Sequence, residues 1–280
     1  MTAPDFVAVG HVTLDRFGDT VRPGGAALYA AITAHRLGLS AGILTSHGDD
    51  FPLDTLPPQI EIVGVPAPRT TTFEHREEGA QRALRVTAAA RPLGVDDVPE
   101  DWRDAPIVLL APVLNEVDPL LAMAFGDASV GAAAQGWLRG VGRDGVVTPT
   151  TWAPPEFLIA RLQALFLSRE DIGNDVAGAV EIFQRVPMGV LTAGEAGALL
   201  FVNGERYEVR SHRSREVDGT GAGDVFAAAF LIDYQRDGNA WDAAGLAACA
   251  GALAVQGEGA ATIPDRPTLD AALRVYRAAE

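Results

Sequence analysis

Short, continuous apolar runs recur along this chain at residues 6–10, 40–46, 60–65, 107–110, 130–134, 164–167 and 189–191, and read as buried strands. Between them the apolar positions take a helical spacing at 26–37, 119–125, 154–163 and 175–185. The first of these segments ends at Gly38, a helix-terminating glycine, and the third opens on Pro154-Pro155, which suits a helix start. Strand and helix in alternation predict parallel βαβ units and an α/β fold. Residues 198–202 and 205–209 flank Asn203-Gly204, a strong hairpin signal. Residues 68–91 break the rhythm. Their β-branched residues and alternation around Glu77-Glu78-Gly79 predict a polar hairpin, which, paired with residues of about 12–22, would lie as a flap over a site. An alanine- and glycine-rich helix is expected at 241–255 and a terminal helix at 268–279. No repeat, low-complexity stretch or linker divides the chain, so a single domain over residues 1–280 is expected, with the flap drawn from about 11–25 and 67–91.

Chemistry concentrates in Val217-Asp218-Gly219-Thr220-Gly221-Ala222-Gly223-Asp224-Val225-Phe226, which runs into the apolar AAAFLI. A Gly-Ala-Gly turn at a helix start leaves N–H groups unpaired and converging, and the helix dipole adds partial positive charge there. Such a corner favours an anion such as a phosphoryl group, and glycine lets that anion approach the backbone. A carboxylate beside a phosphate makes sense if it receives a proton from an attacking hydroxyl. Taken alone, the same residues also suit an ordinary loop with Asp224 favoured by the dipole. Ligands of parallel sheets collect at the carboxyl ends of strands, where Asp15 and Gly24-Gly25 would lie.

Composition narrows the field. The net charge of −15 argues against nucleic acid and anionic membranes as partners. All 22 basic residues are arginine. A lysine-free chain has no Walker A lysine, no protein-kinase lysine and no amine for Schiff-base chemistry, so phosphates must be held by backbone N–H groups, arginine and metal. The single cysteine, Cys249, reads as a small buried side chain. No apolar run is long enough to span a bilayer and no secretion signal is visible, so a cytoplasmic location is expected. The five histidines, His11, His35, His47, His75 and His212, show no metal-ligand spacing and read as surface or strand-end residues. Phe73 and Arg76 in the flap either touch substrate or pack on the partner strand, and Trp137 and Arg139 either line a pocket or finish a strand.

In this order the segments resemble the ribokinase (PfkB-type) carbohydrate kinase family over nearly the whole chain. Its Asp-Thr-x-Gly-Ala-Gly-Asp signature is matched by Asp218 through Asp224 with Gly219 for threonine. Its glycine pair and following helix are matched by Gly24-Gly25 through Leu37-Gly38. Its Thr-x-Gly-x-x-Gly is matched by Thr192, Gly194 and Gly197, and its late Gly-Ala and Ile-Pro by Gly259-Ala260 and Ile263-Pro264. The resemblance implies a three-layer αβα sandwich with a central, mostly parallel sheet and a small β lid, and an enzyme using ATP and Mg²⁺ to phosphorylate an alcohol. It implies Asp224 as catalytic base and the N–H groups of Gly221, Ala222 and Gly223 as anion hole. It further implies Asp15, Gly24 and Gly25 at the substrate, with the two glycines as lid hinge, and Thr192, Gly194, Gly197, Thr220 and Gly221 at ATP. Lids of this family often pair between subunits, which makes a homodimer plausible.

Two departures bear on the substrate. Ser168-Arg169-Glu170-Asp171 stands where many members carry Asn-x-x-Glu, leaving Asp171 either a water-mediated metal role or that of an ordinary helix N-terminal carboxylate. Tyr29 stands where ribokinases place an asparagine. With the Ala134-Gln135-Gly136-Trp137-Leu138-Arg139 run, this looks more like the inositol-kinase-type branch. A sugar or polyol kinase is expected; a nucleoside kinase on the same scaffold and a non-catalytic sugar or nucleotide sensor are the alternatives. A dinucleotide-dependent dehydrogenase is excluded because Asp224 occupies the place of the third fingerprint glycine.

Overall fold

A computed structural model describes residues 2–78, 81–173 and 175–278. In chain order the elements are β1 (Phe6–Val9), β2 (Thr13–Phe17), β3 (Thr20–Gly24), α1 (Ala26–Arg36), β4 (Ala41–His47), β5 (Glu61–Pro66), β6 (Thr71–Glu78) and β7 (Gln81–Ala88). There follow β8 (Ile107–Leu110), β9 (Ser129–Ala133), β10 (Arg139–Val141), β11 (Val147–Pro149), α2 (Glu156–Arg161), β12 (Ala164–Ser168), α3 (Arg169–Ile172) and α4 (Val176–Phe183). The chain closes with β13 (Met188–Thr192), β14 (Ala198–Val202), β15 (Glu205–Val209), α5 (Ala222–Asp237), α6 (Ala240–Ala254) and α7 (Arg266–Ala278).

A nine-stranded sheet runs β15-β14-β13-β12-β9-β8-β1-β4-β5. Every pair from β13 across to β5 is parallel, and the β13–β14 and β14–β15 pairs are antiparallel. The apolar runs are continuous because both faces are covered. Phe6, Ala8, Ile43, Leu109, Phe166, Val190 and Leu200 pack under α1, α5, α6 and α7. Their strand neighbours Val7, Val9, Leu44, Val108, Leu110, Leu165 and Leu191 meet Leu158 of α2, Phe183 of α4, Trp102 and Phe125 on the other face. The result is the expected three-layer α/β sandwich. At Asn203-Gly204 both φ angles are positive, as a tight two-residue hairpin turn requires.

A second sheet, β3-β2-β6-β7, forms the flap. β2 pairs antiparallel with β3 and parallel with β6, so Asp15 stands opposite Arg22 on one side and Phe73 on the other. The hairpin tip, including Gly79 of the expected Glu-Glu-Gly turn, lies outside the described residues. A further hairpin, β10–β11, has no clear pattern in the sequence. Its turn reaches the lid, where the Val86 N–H donates to the Gly145 carbonyl at 2.8 Å. Residues 119–123 form a short 3₁₀ helix rather than the expected longer one, capped by Asp118 accepting from the Leu120 N–H. His11 is buried rather than at the surface: its ring meets the Arg91 carbonyl at 2.9 Å and the Thr71 hydroxyl at 2.8 Å, tying β1 to the base of the lid.

Helix α5 is seated by aromatic packing. Phe230 is fully buried, its ring edge-on to Phe166 of β12 at 5.4 Å and stacked with Phe226 at 6.5 Å. Cys249 is buried in α6, and that burial pushes its thiol up to about 12. Truncating Phe230 to alanine removes a large side chain from a close-packed layer. The expected loss is about 3–5 kcal/mol, read as a lowered urea midpoint with an unchanged m-value.

Candidate active site

The carboxyl ends of β9, β12 and β13, the lid and the start of α5 enclose a cavity of about 570 Å³. Asp15, Gly25, Asp171, Thr192, Gly194, Thr220, Gly221, Gly223 and Asp224 all line it. Residues up to 209 positions apart in sequence thus converge where parallel sheets gather ligands. Gly24, Gly197 and Ala222 do not face this space. Gly24 backs onto Asp15, whose Oδ2 would lie 2.1 Å from an added Cβ. Gly197 and Ala222 line an adjoining cavity of about 140 Å³ with Phe226, Ala248, Gly251, Ala252 and Val255. The two spaces share Thr192, Gly194, Glu216 and Gly223.

The corner itself is built by local rules. Gly221 caps α5 in the left-handed region at φ 80°, and an added Cβ would fall 2.5 Å from the Tyr29 ring, so glycine is required twice over. No side chain caps this helix. The Ala222 N–H turns back to the Gly219 carbonyl at 3.3 Å, whereas the N–H groups of Gly221 and Gly223 have no protein acceptor among the described residues. Donors left open at a helix N-terminus are an anion site by geometry and dipole alike.

Asp224 occupies the first turn beside them. Burial is the main effect on its carboxyl and pushes it up from 3.8 to about 7; Arg139 opposes this and Asp171 adds to it. Asp171 is itself held in a capping box: its Oδ2 accepts from the Ser168 N–H at 3.0 Å and the Ser168 hydroxyl at 2.7 Å. The helix-capping role is therefore real, and the side chain still borders the cavity. Asp15 is buried and accepts from the Thr13 hydroxyl at 3.2 Å.

Other residues enter that sequence reasoning left open or placed elsewhere. His75 lines the cavity 3.9 Å from Asp15, not the surface. Phe73 lines it too, while Arg76 faces outward to Glu74 at 2.9 Å. The signal for the first two was the alternation along β6, which puts residues 71, 73 and 75 on one side. Arg139 contributes a guanidinium over the Phe73 ring at 5.8 Å and donates to the Val113 carbonyl at 3.0 Å. Burial lowers its pKa, and Asp171, Asp224, Glu116 and Asp15 counter this. Gln135, one strand end away, joins it. Tyr29 is buried against the corner; burial raises its phenol, and Asp15, Asp218 and Asp224 raise it further.

With this geometry in view, the chain can be set beside known proteins. The family described as pfkB family carbohydrate kinase matches residues 161–268. A cytidine kinase of Thermococcus kodakarensis is 27% identical over 262 residues, covering 83% of this chain and 89% of that protein. Among solved structures, a pyrophosphate-dependent myo-inositol kinase superposes with a TM-score of 0.80 at 22% identity, over 96% of this chain and 98% of that one. Ribokinase of Arabidopsis thaliana, complexed with ribose and ATP, gives 0.73 at 19% identity over 98% and 99%. The fold, the matched segment and these relatives agree: the chain carries a pfkB family carbohydrate kinase domain, matched over residues 161–268, and is a phosphotransferase that acts on a hydroxyl acceptor.

Proposed function

We propose that this enzyme transfers the γ-phosphoryl group of ATP to a hydroxyl of a small cyclic polyol or sugar, with Asp224 as the general base. The observation that carries the reading is the placing of Asp224 beside the open N–H groups of Gly221 and Gly223, in one cavity with Asp15 and the lid. In the step itself the acceptor hydroxyl gives its proton to the Asp224 carboxylate as its oxygen bonds to phosphorus. The bond from phosphorus to the β,γ-bridging oxygen breaks and ADP leaves. The N–H groups at the α5 corner hold the charge on the transferring oxygens. Asp15 accepts from a second acceptor hydroxyl, and Gly24 and Gly25 form the hinge through which the lid excludes water.

An inositol-like acceptor is favoured by the polar groups at the lid end of the cavity, Asp15, His75, Gln135 and Arg139, around a space walled by Phe73 and Val113. A nucleoside acceptor is the second reading. It is supported by the Thermococcus cytidine kinase and by apolar Phe73, Leu84 and Val113, against which a base could stack.

The relatives raise a question of donor, since one uses pyrophosphate. The adjoining apolar cavity supports a nucleotide: it begins where the corner glycines end, and its lining of Phe226, Ala248, Ala252 and Val255 suits a heterocyclic base. Thr192 and Gly194, which line both spaces, and Thr220, which lines the first, would meet the phosphates and sugar. For magnesium, the wall offers Glu170 and Asp171 and, among the described residues, no cluster of three or more metal-ligating side chains. That fits an ion that keeps most of its waters and arrives with the phosphates, held by one or two carboxylates. Once bound it would neutralise phosphate charge.

Three outcomes are expected. Asp224→Asn lowers kcat roughly 10²–10⁴-fold while ATP still binds, measured by coupled ADP release and calorimetry; near-normal turnover would remove Asp224 as base. Because the folded protein binds this proton more tightly than the unfolded chain does, the wild type loses stability as pH rises from 3.8 through about 7. Asp224→Asn should remove the Asp224 share of that slope and melt higher than wild type at pH 8, while wild-type kcat/KM should rise through an acid limb near pH 7. Finally, filling the second cavity by Ala252→Phe should raise the KM for ATP about tenfold or more and leave the acceptor KM unchanged. A panel of myo-inositol, fructose, ribose and cytidine, each with ATP and with pyrophosphate, decides between the readings.

A further inference from the structure

One cation outside the cavity wall joins parts of the site that no local motif connects. Arg22 lies on lid strand β3, two residues before Gly24. Its guanidinium is 3.6 Å from Asp218 Oδ2 through Nη1 and 3.0 Å from Glu258 Oε2 through Nη2. Asp218 opens the loop into α5 and Glu258 sits in the loop after α6. The Asp218 carboxylate is already committed: Oδ1 accepts from the Thr220 N–H at 3.0 Å and Oδ2 from the Gly259 N–H at 3.1 Å. Although burial pushes this carboxyl up, the bonds from Thr220 and Gly259 and the charge of Arg22 hold it below the usual carboxylate range.

The same guanidinium also touches the lid. It lies 5.2 Å above the Phe17 ring, and Phe17 stacks at 4.2 Å on His75, which borders the cavity opposite Asp15. A continuous set of contacts therefore runs from the acceptor end of the cavity, through His75, Phe17 and Arg22, to the carboxylate that sets the approach to Gly221. An isolated ion pair at this exposure contributes little to stability. Its effect here is on geometry, because Asp218 aims a backbone N–H next to the anion-binding corner.

We propose that Arg22 is a positioning residue for phosphoryl transfer: carried on the lid, it clamps Asp218 and Glu258, and so couples seating of the lid to the arrangement of the loop that holds the donor phosphates. The proposal rests on the donor-corner reading of Gly221–Gly223 given above. A planar, five-donor guanidinium can bridge two acids from different loops, whereas an ammonium can satisfy them only as a point charge.

The test uses the full chain with Arg22→Met, Arg22→Lys, Asp218→Asn and the Arg22→Met/Asp218→Asn double variant. Hydrogen exchange of the peptide covering 216–224 is read without ligand, and the affinities of the magnesium–AMP-PNP complex and of pyrophosphate are read by calorimetry. Arg22→Met should speed exchange in that peptide and weaken the AMP-PNP complex about 5-fold or more, the lower end of a typical coupling between sites. Arg22→Lys should fall between Met and wild type, and the double variant should be no worse than the worse single change. A merely structural role would lower the melting temperature and leave the affinity of the folded fraction intact. Folded Arg22→Met or Arg22→Lys with wild-type exchange and wild-type affinity would overturn the proposal. The exchange result stands whatever Asp224→Asn does to turnover, so this inference and the base assignment fail separately.

Discussion

Everything in this enzyme depends on a short piece of backbone kept open: the first turn of α5, where the N–H groups of Gly221 and Gly223 have no protein acceptor among the described residues and a carboxylate is partly withdrawn from water beside them. Donors without a protein partner are left to solvent or a ligand, and a desolvated carboxylate is driven toward its neutral form. The corner persists because its surroundings over-determine it. The Tyr29 ring leaves room only for glycine at 221, Asp218 anchors the Thr220 N–H, and Phe226 and Phe230 lock the helix onto β12. What the fold leaves unsatisfied, an anion and a proton can satisfy.

The electrostatics are correspondingly local. A chain with a net charge of −15 and no lysine does not draw phosphates by its overall field. Among the described residues, Arg139 and Arg169 are the arginines that line the cavity, and oriented peptide dipoles at its α5 corner add to the local positive potential. Arg139 touches two walls of the cavity: it lies over Phe73 of the lid and also counters the rise in the Asp224 pKa. Short-range forces of this kind act only once water is excluded. That makes the lid part of the electrostatics as well as a cover.

The lid is tied to the core at several points. His11 bonds both Thr71 and the Arg91 carbonyl at its base, Gly25 takes φ 104° where β3 turns into α1, and the β10–β11 turn meets β7. The hairpin that meets the lid also begins with Arg139. The cavity, the lid and the β10–β11 hairpin are therefore joined through shared contacts.

Much of this was legible in the residues themselves. Continuous apolar runs marked the parallel strands because both faces of the sheet are covered, Asn203-Gly204 marked its turn by backbone sterics, and the glycine-rich corner with Asp224 announced itself through helix-terminus geometry. These signals are local: each depends on neighbours within a few positions. The β10–β11 hairpin, the 3₁₀ form of residues 119–123 and the burial of His11 were not legible, nor was the reach of Arg22 to Asp218 and Glu258. Those were decided by which strands pair and at what register, since a side chain's partner across 196 or 236 positions exists only once the sheets and loops are assembled. Sequence by itself determined the chemistry available at the corner; tertiary structure decided what faces it, because long-range convergence leaves no periodicity to read.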